Sequence, residues 1–239
     1  MARTAVIVGV GPGLGESLAR TFVTEGCEVG LFARSTDRLE TLEASINAGS
    51  GDVLAVPTDI AERGQVKAGF ERVREEYGPI DVLVHDVYAD PSEGGLLDVS
   101  LESSDDVLSV NPRGPLLCSQ KAAADMLDGD GGTVLFTGTP EAVRGSAGSI
   151  ARVTARFAVR GMVQLMAREL GPEGIYVTHV TPDGAIYRSD LREEFSEIPD
   201  EEWMDPDAIA ETYWHLVEQD RGAWTHELDC RTHAGDGTA

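Results

Sequence analysis

The chain has 239 residues, enough for one α/β domain with a substantial core. Its 42 acidic residues against 19 basic ones give a formal charge of −23, which repels nucleic acid and anionic membranes and argues against both as partners. The acids are spread along the chain and Lys67 and Lys121 are the only lysines, a pattern expected of a protein adapted to concentrated salt.

Strand-like and helical runs alternate from the start. Thr4–Val10 reads as a strand and leads into Gly9-Val-Gly-Pro-Gly13-Leu14-Gly15, followed by helical spacing at Leu14, Leu18, Phe22 and Val23. Further strands are expected at 28–33, 52–57, 81–85, 133–137, 175–181 and 223–230. Helices are expected at 36–48, 62–77, 100–127 and 146–170, with a last one opened by Asp205 as N-cap and Pro206 at its first position. Apolar strands separated by helices predict a single-domain Rossmann-like, doubly wound parallel sheet of about seven strands with helices on both faces. The domain is expected to span 1–232, with a short disordered tail at 233–239.

The first strand, glycine turn and helix N-terminus form an anion site in outline. Glycines let the backbone turn sharply and approach a ligand closely, while free N–H groups and the helix dipole favour phosphate. At the first βα junction of such a chain this pattern points to dinucleotide binding. Two segments, 89–99 and 187–204, leave C-terminal strand ends and are expected to act as lids. Cys27, Cys118 and Cys230 have no metal-ligand spacing and suit a reducing compartment, so no metal site and a cytoplasmic location are expected.

Taken in order, these motifs resemble the short-chain dehydrogenase/reductase family over nearly the whole chain. Gly9, Gly13 and Gly15 match that family's cofactor turn, and Asp59-Ile60 looks like its adenine-contacting pair. Asn111 stands where the family carries its helix-borne active-site Asn, and Asp183-Gly184-Ala185-Ile186 resembles its nicotinamide-holding turn. The resemblance implies an oxidoreductase acting on a small carbonyl or alcohol, and a homodimer or homotetramer built on the two long helices. At the end of the second strand, Ala33-Arg34-Ser35 replaces the carboxylate that selects NAD. A guanidinium there pairs with a 2′-phosphate, which makes NADP(H) the expected cofactor; the competing reading pairs Arg34 with Asp37.

The departures from the family bear on chemistry. Its proton-donating Tyr and the Lys four residues later are replaced by Arg152 and Arg156, while Thr139 keeps the hydroxyl of the upstream Ser slot. Arginine stays protonated near neutral pH and cannot act as the acid. Two readings of Arg152, Arg156 and Arg160 stand: a substrate and ribose clamp, or a surface stripe paired with acids. His85-Asp86-Val87-Tyr88 replaces the family's Asn-Asn-Ala-Gly, and Tyr88, Tyr187 or water are the expected proton sources. Standard carbonyl reduction is therefore expected to be weak. A catalytically silent NADP(H)-binding sensor or partner subunit is the main rival. A non-redox enzyme resembling the halohydrin dehalogenases ranks last, because the glycine turn is intact.

Overall fold

The computed structural model describes residues 2–49, 51–87 and 94–235. Seven parallel strands form one sheet: β1 (Thr4–Val8), β2 (Glu28–Ala33), β3 (Val53–Pro57), β4 (Val82–His85), β5 (Gly132–Thr137), β6 (Ile175–Pro182) and, closing the chain, β9 (Glu227–Cys230). Their order is β3-β2-β1-β4-β5-β6-β9, so the direction of winding reverses between β1 and β4. That reversal opens a crevice at the carboxyl ends of the strands, where open α/β sheets bind ligands.

Period-two alternation divides the strand side chains between two cores. Ala5 and Ile7 of β1 face α1 (Leu14–Thr24), α2 (Thr36–Asn47) and α8 (Pro206–Val217), through Leu18, Phe22, Leu39 and Tyr213. Val6 and Val8 face α3 (Arg63–Tyr77), α5 (Gly114–Asp128) and α6 (Ile150–Leu170), through Phe70, Val73, Ala122 and Val163. The buried side chains of each helix recur at three- to four-residue spacing, which is why these segments form helices against the sheet rather than alone in water.

Three elements differ from the sequence expectation by a break or by more than two residues. The helix expected over 100–127 is two helices, α4 (Leu101–Leu108) and α5, joined by a widened turn at Ser109–Arg113 in which Asn111 is non-helical (φ −139°, ψ 114°). Pro112 explains the break, since its ring disfavours helical geometry at the residue before it. The helix expected from 146 begins at Ile150, because Gly148 has φ 103° and Ser149 is extended at φ −149°. The last strand begins at Glu227 rather than 223, where pairing with His179 starts.

Asp205 does cap α8, its carboxylate accepting from the N–H of Asp207 at 3.0 Å. Of the two expected lids, 89–99 has residues 89–93 outside the described residues, and its described part is tied down where Gly94 N–H donates to Gly148 O at 2.8 Å. The other, 187–204, folds back on the domain. It contains α7 (Ser189–Glu194) and ends in β8 (Trp203–Met204), which pairs in parallel with β7 (Ala185–Ile186). Residues 233–235 belong to a turn closed by Thr232, and 236–239 lie outside the described residues. All three cysteines are free thiols. Among the described residues no helix is long and apolar enough to cross a membrane, and no cluster of metal-ligating side chains occurs.

Candidate active site

The carboxyl ends of β1, β2, β4, β5 and β6 surround one open cleft of about 1450 Å³. It is lined at one end by Gly9, Gly13, Leu14, Gly15, Arg34, Ser35, Asp59 and Ile60, and at the other by Thr139, Glu141, Arg156 and Ile186. The residues expected to hold a cofactor therefore share one surface.

The glycine turn is shaped by close backbone approach. A Cβ on Gly9, which has φ 101°, would sit 2.2 Å from the carbonyl oxygen of Asp86. A Cβ on Gly15 would meet the Gly9 carbonyl at 2.9 Å. Absence of both lets α1 start directly against the turn, so that the N–H groups of its first turn face the cleft. A further guanidinium stands here: a Cβ on Gly13 would lie 3.2 Å from Cγ of Arg188, which lines the cleft and is paired with Asp190.

At the end of β2, Arg34 is exposed and is joined at the cleft by Arg38, one helical turn further on. Among the described residues neither pairs with a carboxylate, and the competing Arg34–Asp37 pair does not form. Two uncompensated positive charges at this end suit a phosphate. Arg38 was missed in the sequence because nothing marks which residues of α2 turn towards the cleft. Asp59 is held in place by local bonds, accepting from Ala61 N–H at 2.9 Å.

The opposite end carries the replaced catalytic positions. Thr139 lines the cleft, and its buried hydroxyl has no partner among the described residues. Arg156 lines the cleft and is only 4% exposed. Arg152 does not line it: its guanidinium donates to Glu141 at 2.9 Å, and Glu141 is what faces the cleft. Arg160 is turned to Glu227, donating from Nε at 3.0 Å and from the terminal nitrogen at 2.8 Å. The three arginines thus part company, two paired with acids and Arg156 buried at the cleft. Asn111 is buried in the break between α4 and α5 and does not line the cleft, although Val110 does.

Asp183 braces the turn before Ile186: it is buried, with Arg144 at 3.5 Å and Arg231 at 3.7 Å. His85 is buried against Phe136, its ring 4.6 Å away, with Ser119 Oγ 3.2 Å from Nε2. Burial pushes its pKa down to about 3, so the ring is neutral and structural. Tyr187 packs edge-on to Trp203 at 6.1 Å and lies outside the cleft lining. Tyr88 lies outside the described residues.

Sequence reasoning also passed over Asp86, which lines the cleft beside Thr137 and Arg156. Burial pushes its carboxyl up to about 7, against the Thr137 hydrogen bond and the Arg156 charge, which both pull it down. The visible signal was a carboxylate in the turn after β4; its neighbours come from distant parts of the chain.

Known proteins share this fold and part of this sequence. Over 198 residues the chain is 29% identical to the 3-oxoacyl-(acyl-carrier-protein) reductase FabG of Staphylococcus aureus, covering 82% of this chain and 79% of that one. A short-chain dehydrogenase from Rhodopseudomonas palustris superposes with a TM-score of 0.84 at 28% identity, over 97% of this chain and 99% of that one. A metagenomic short-chain oxidoreductase solved in complex with NADP has the same fold, with a TM-score of 0.84 at 23% identity over 96% and 97% of the two chains. Residues 3–199 match the family model described as short chain dehydrogenase. With the glycine turn, the strand order and the cleft at its reversal point in place, the chain belongs to the short-chain dehydrogenase family.

Proposed function

We propose that this protein binds NADP(H) in the cleft and exchanges hydride with a small carbonyl or alcohol substrate. The observation that carries this reading is one continuous cleft joining the glycine turn, the arginine pair Arg34 and Arg38, and the buried Thr139 hydroxyl. Arg34 and Arg38 would hold a 2′-phosphate, the N-terminus of α1 the diphosphate, and Arg156 the ribose beside the nicotinamide, with Ile186 packed on the ring. Asp59 and Ile60 would meet the adenine. The bound cofactor supplies the hydride; Thr139 would donate to the substrate oxygen. The NADP-bound metagenomic relative supports the choice of cofactor by fold alone.

Titration of the protein with NADPH and NADH in high salt, read by nicotinamide fluorescence, tests the reading. NADPH is expected to bind more tightly; absence of binding by either cofactor overturns it.

A second reading, a silent NADP(H)-binding partner or sensor, is favoured by Arg152, which is held by Glu141 and cannot supply a proton. It predicts tight NADPH binding without turnover of any ketone. A cytoplasmic, salt-adapted homodimer or homotetramer completes the proposal, supported by exposed apolar side chains on α5 and α6, among them Leu116, Phe157 and Leu165. Light scattering at micromolar concentration is expected to give twice or four times the monomer mass.

A further inference from the structure

Four elements converge on Asp86. It follows β4 directly, and its N–H donates to Val8 O at 2.7 Å, so its backbone is pinned to the central strands. The Thr137 hydroxyl, from the end of β5, donates to its carboxylate. Thr137 Oγ1 in turn lies 2.7 Å from the hydroxyl of Tyr213, which is fully buried on α8. From α6, the positive charge of Arg156 acts on the same carboxyl. Asp86, Thr137, Thr139 and Arg156 all line the cleft, whereas Tyr213 closes the chain from beneath.

Direction matters in such a chain. Burial, together with the nearby Asp86 and Cys230, holds the Tyr213 phenol protonated, so it donates to Thr137, which donates to Asp86. The carboxyl is the terminal acceptor of these bonds, on a residue that lines the cleft.

We propose that Asp86 is the catalytic acid of this cleft, taking the place of the absent family phenol when a carbonyl held by Thr139 is reduced. This rests on the NADP(H) reading above. The carbonyl carbon gains hydride from the bound dihydronicotinamide, which is thereby oxidised. The carbonyl oxygen takes the proton from the Asp86 carboxyl, and the carboxylate left behind regains one from water. Balanced between burial on one side and Arg156 with Thr137 on the other, the carboxyl titrates at about 7. An acid that titrates near the working pH is present in both forms and suits proton transfer. An ordinary surface aspartate would be fully ionised there.

Infrared difference spectra of the full chain with bound NADP⁺, recorded across neutral pH, read the protonation state directly. A carboxylic-acid C=O band is expected to vanish with a midpoint near 7 and to be missing in Asp86→Asn. An ordinary carboxyl, with a reference value near 4, gives no such change in that window. Reduction of 2,3-butanedione by NADPH, followed in single turnover, is expected to slow above the same midpoint. Asp86→Asn should lower that rate by about 10²-fold or more and flatten its pH profile, with the NADPH Kd nearly unchanged.

A band that titrates only in the ordinary carboxylate range overturns the proposal, and this measurement needs no variant to fold. So does an Asp86→Asn protein that keeps the wild-type rate and profile, or a wild type that binds NADPH but reduces no diketone. Failure of NADPH to bind is seen separately by fluorescence, and overturns the cofactor reading on which the proposal stands.

Discussion

Arg152 donates to Glu141 at 2.9 Å at the rim of the cleft, with the two side chains only 26% and 20% exposed. The cation in the slot of the family's phenol is therefore bound to an acid of its own chain. It is neither a surface ornament nor an open clamp.

Restoring the family pair should change the chemistry. Arg152→Tyr with Arg156→Lys introduces a phenol that can donate, beside a cation that can hold ribose. Since general acid catalysis is worth ~10²–10⁴-fold, adding the pair to the Asp86→Asn protein, which lacks the proposed acid, is expected to raise reduction of 2,3-butanedione by NADPH by about 10²-fold. An unchanged rate in a variant that still binds NADPH would show that Asn111 and Thr139 do not complete a working site.

The proposed NADP(H) site rests selectivity for the 2′-phosphate on Arg34 and Arg38. Hydrogen bonds to charged groups are worth about 1.5–3 kcal/mol, so Arg34→Ala should weaken NADPH by roughly ten- to a hundredfold. NADH, which lacks the phosphate, should bind as before. Arg34→Ala with Arg38→Ala should leave the two cofactors equal, read by fluorescence titration.

Acid sensitivity follows from His85. Its folded pKa, about 3, is below the ordinary 6.5, so the unfolded chain takes up the proton first. Stability is thus lost as pH falls below 6.5, and His85→Asn should remove the share due to His85, while the buried His179, pushed down to about 4, keeps its own. Between about pH 6.5 and pH 5 the difference amounts to about 2 kcal/mol, measured by urea unfolding. Asp86 acts in the opposite sense: its folded value of about 7 exceeds 3.8, so its contribution is lost as pH rises through 7. Comparing wild type with each single variant separates the two.

Salt should stabilise the fold. A formal charge of −23 is self-repulsive, and the Debye length shrinks from about 10 Å at 0.1 M to about 3 Å at 1 M. Melting midpoints are expected to climb through the molar range of salt; a flat series would remove the case for salt adaptation.

Much of this was legible in the chain itself. Alternating strands and helices, the glycine turn, the Asp205 cap and the arginine after β2 are local features, set by backbone preference, side-chain periodicity and steric freedom at single residues. Pro112 and Gly148 carry equally local signals that helices break there. What folding alone decided is which charges meet. Residues 86, 137 and 213 lie on three elements far apart in sequence, yet Thr137 bonds to Tyr213 at 2.7 Å and to Asp86. Arg152 and Arg156 sit four residues apart on one helix, yet one is held by Glu141 and the other is buried at the cleft. A pKa or an ion pair depends on burial and on distance through space, and those are properties of the packed sheet and helices rather than of any stretch of chain.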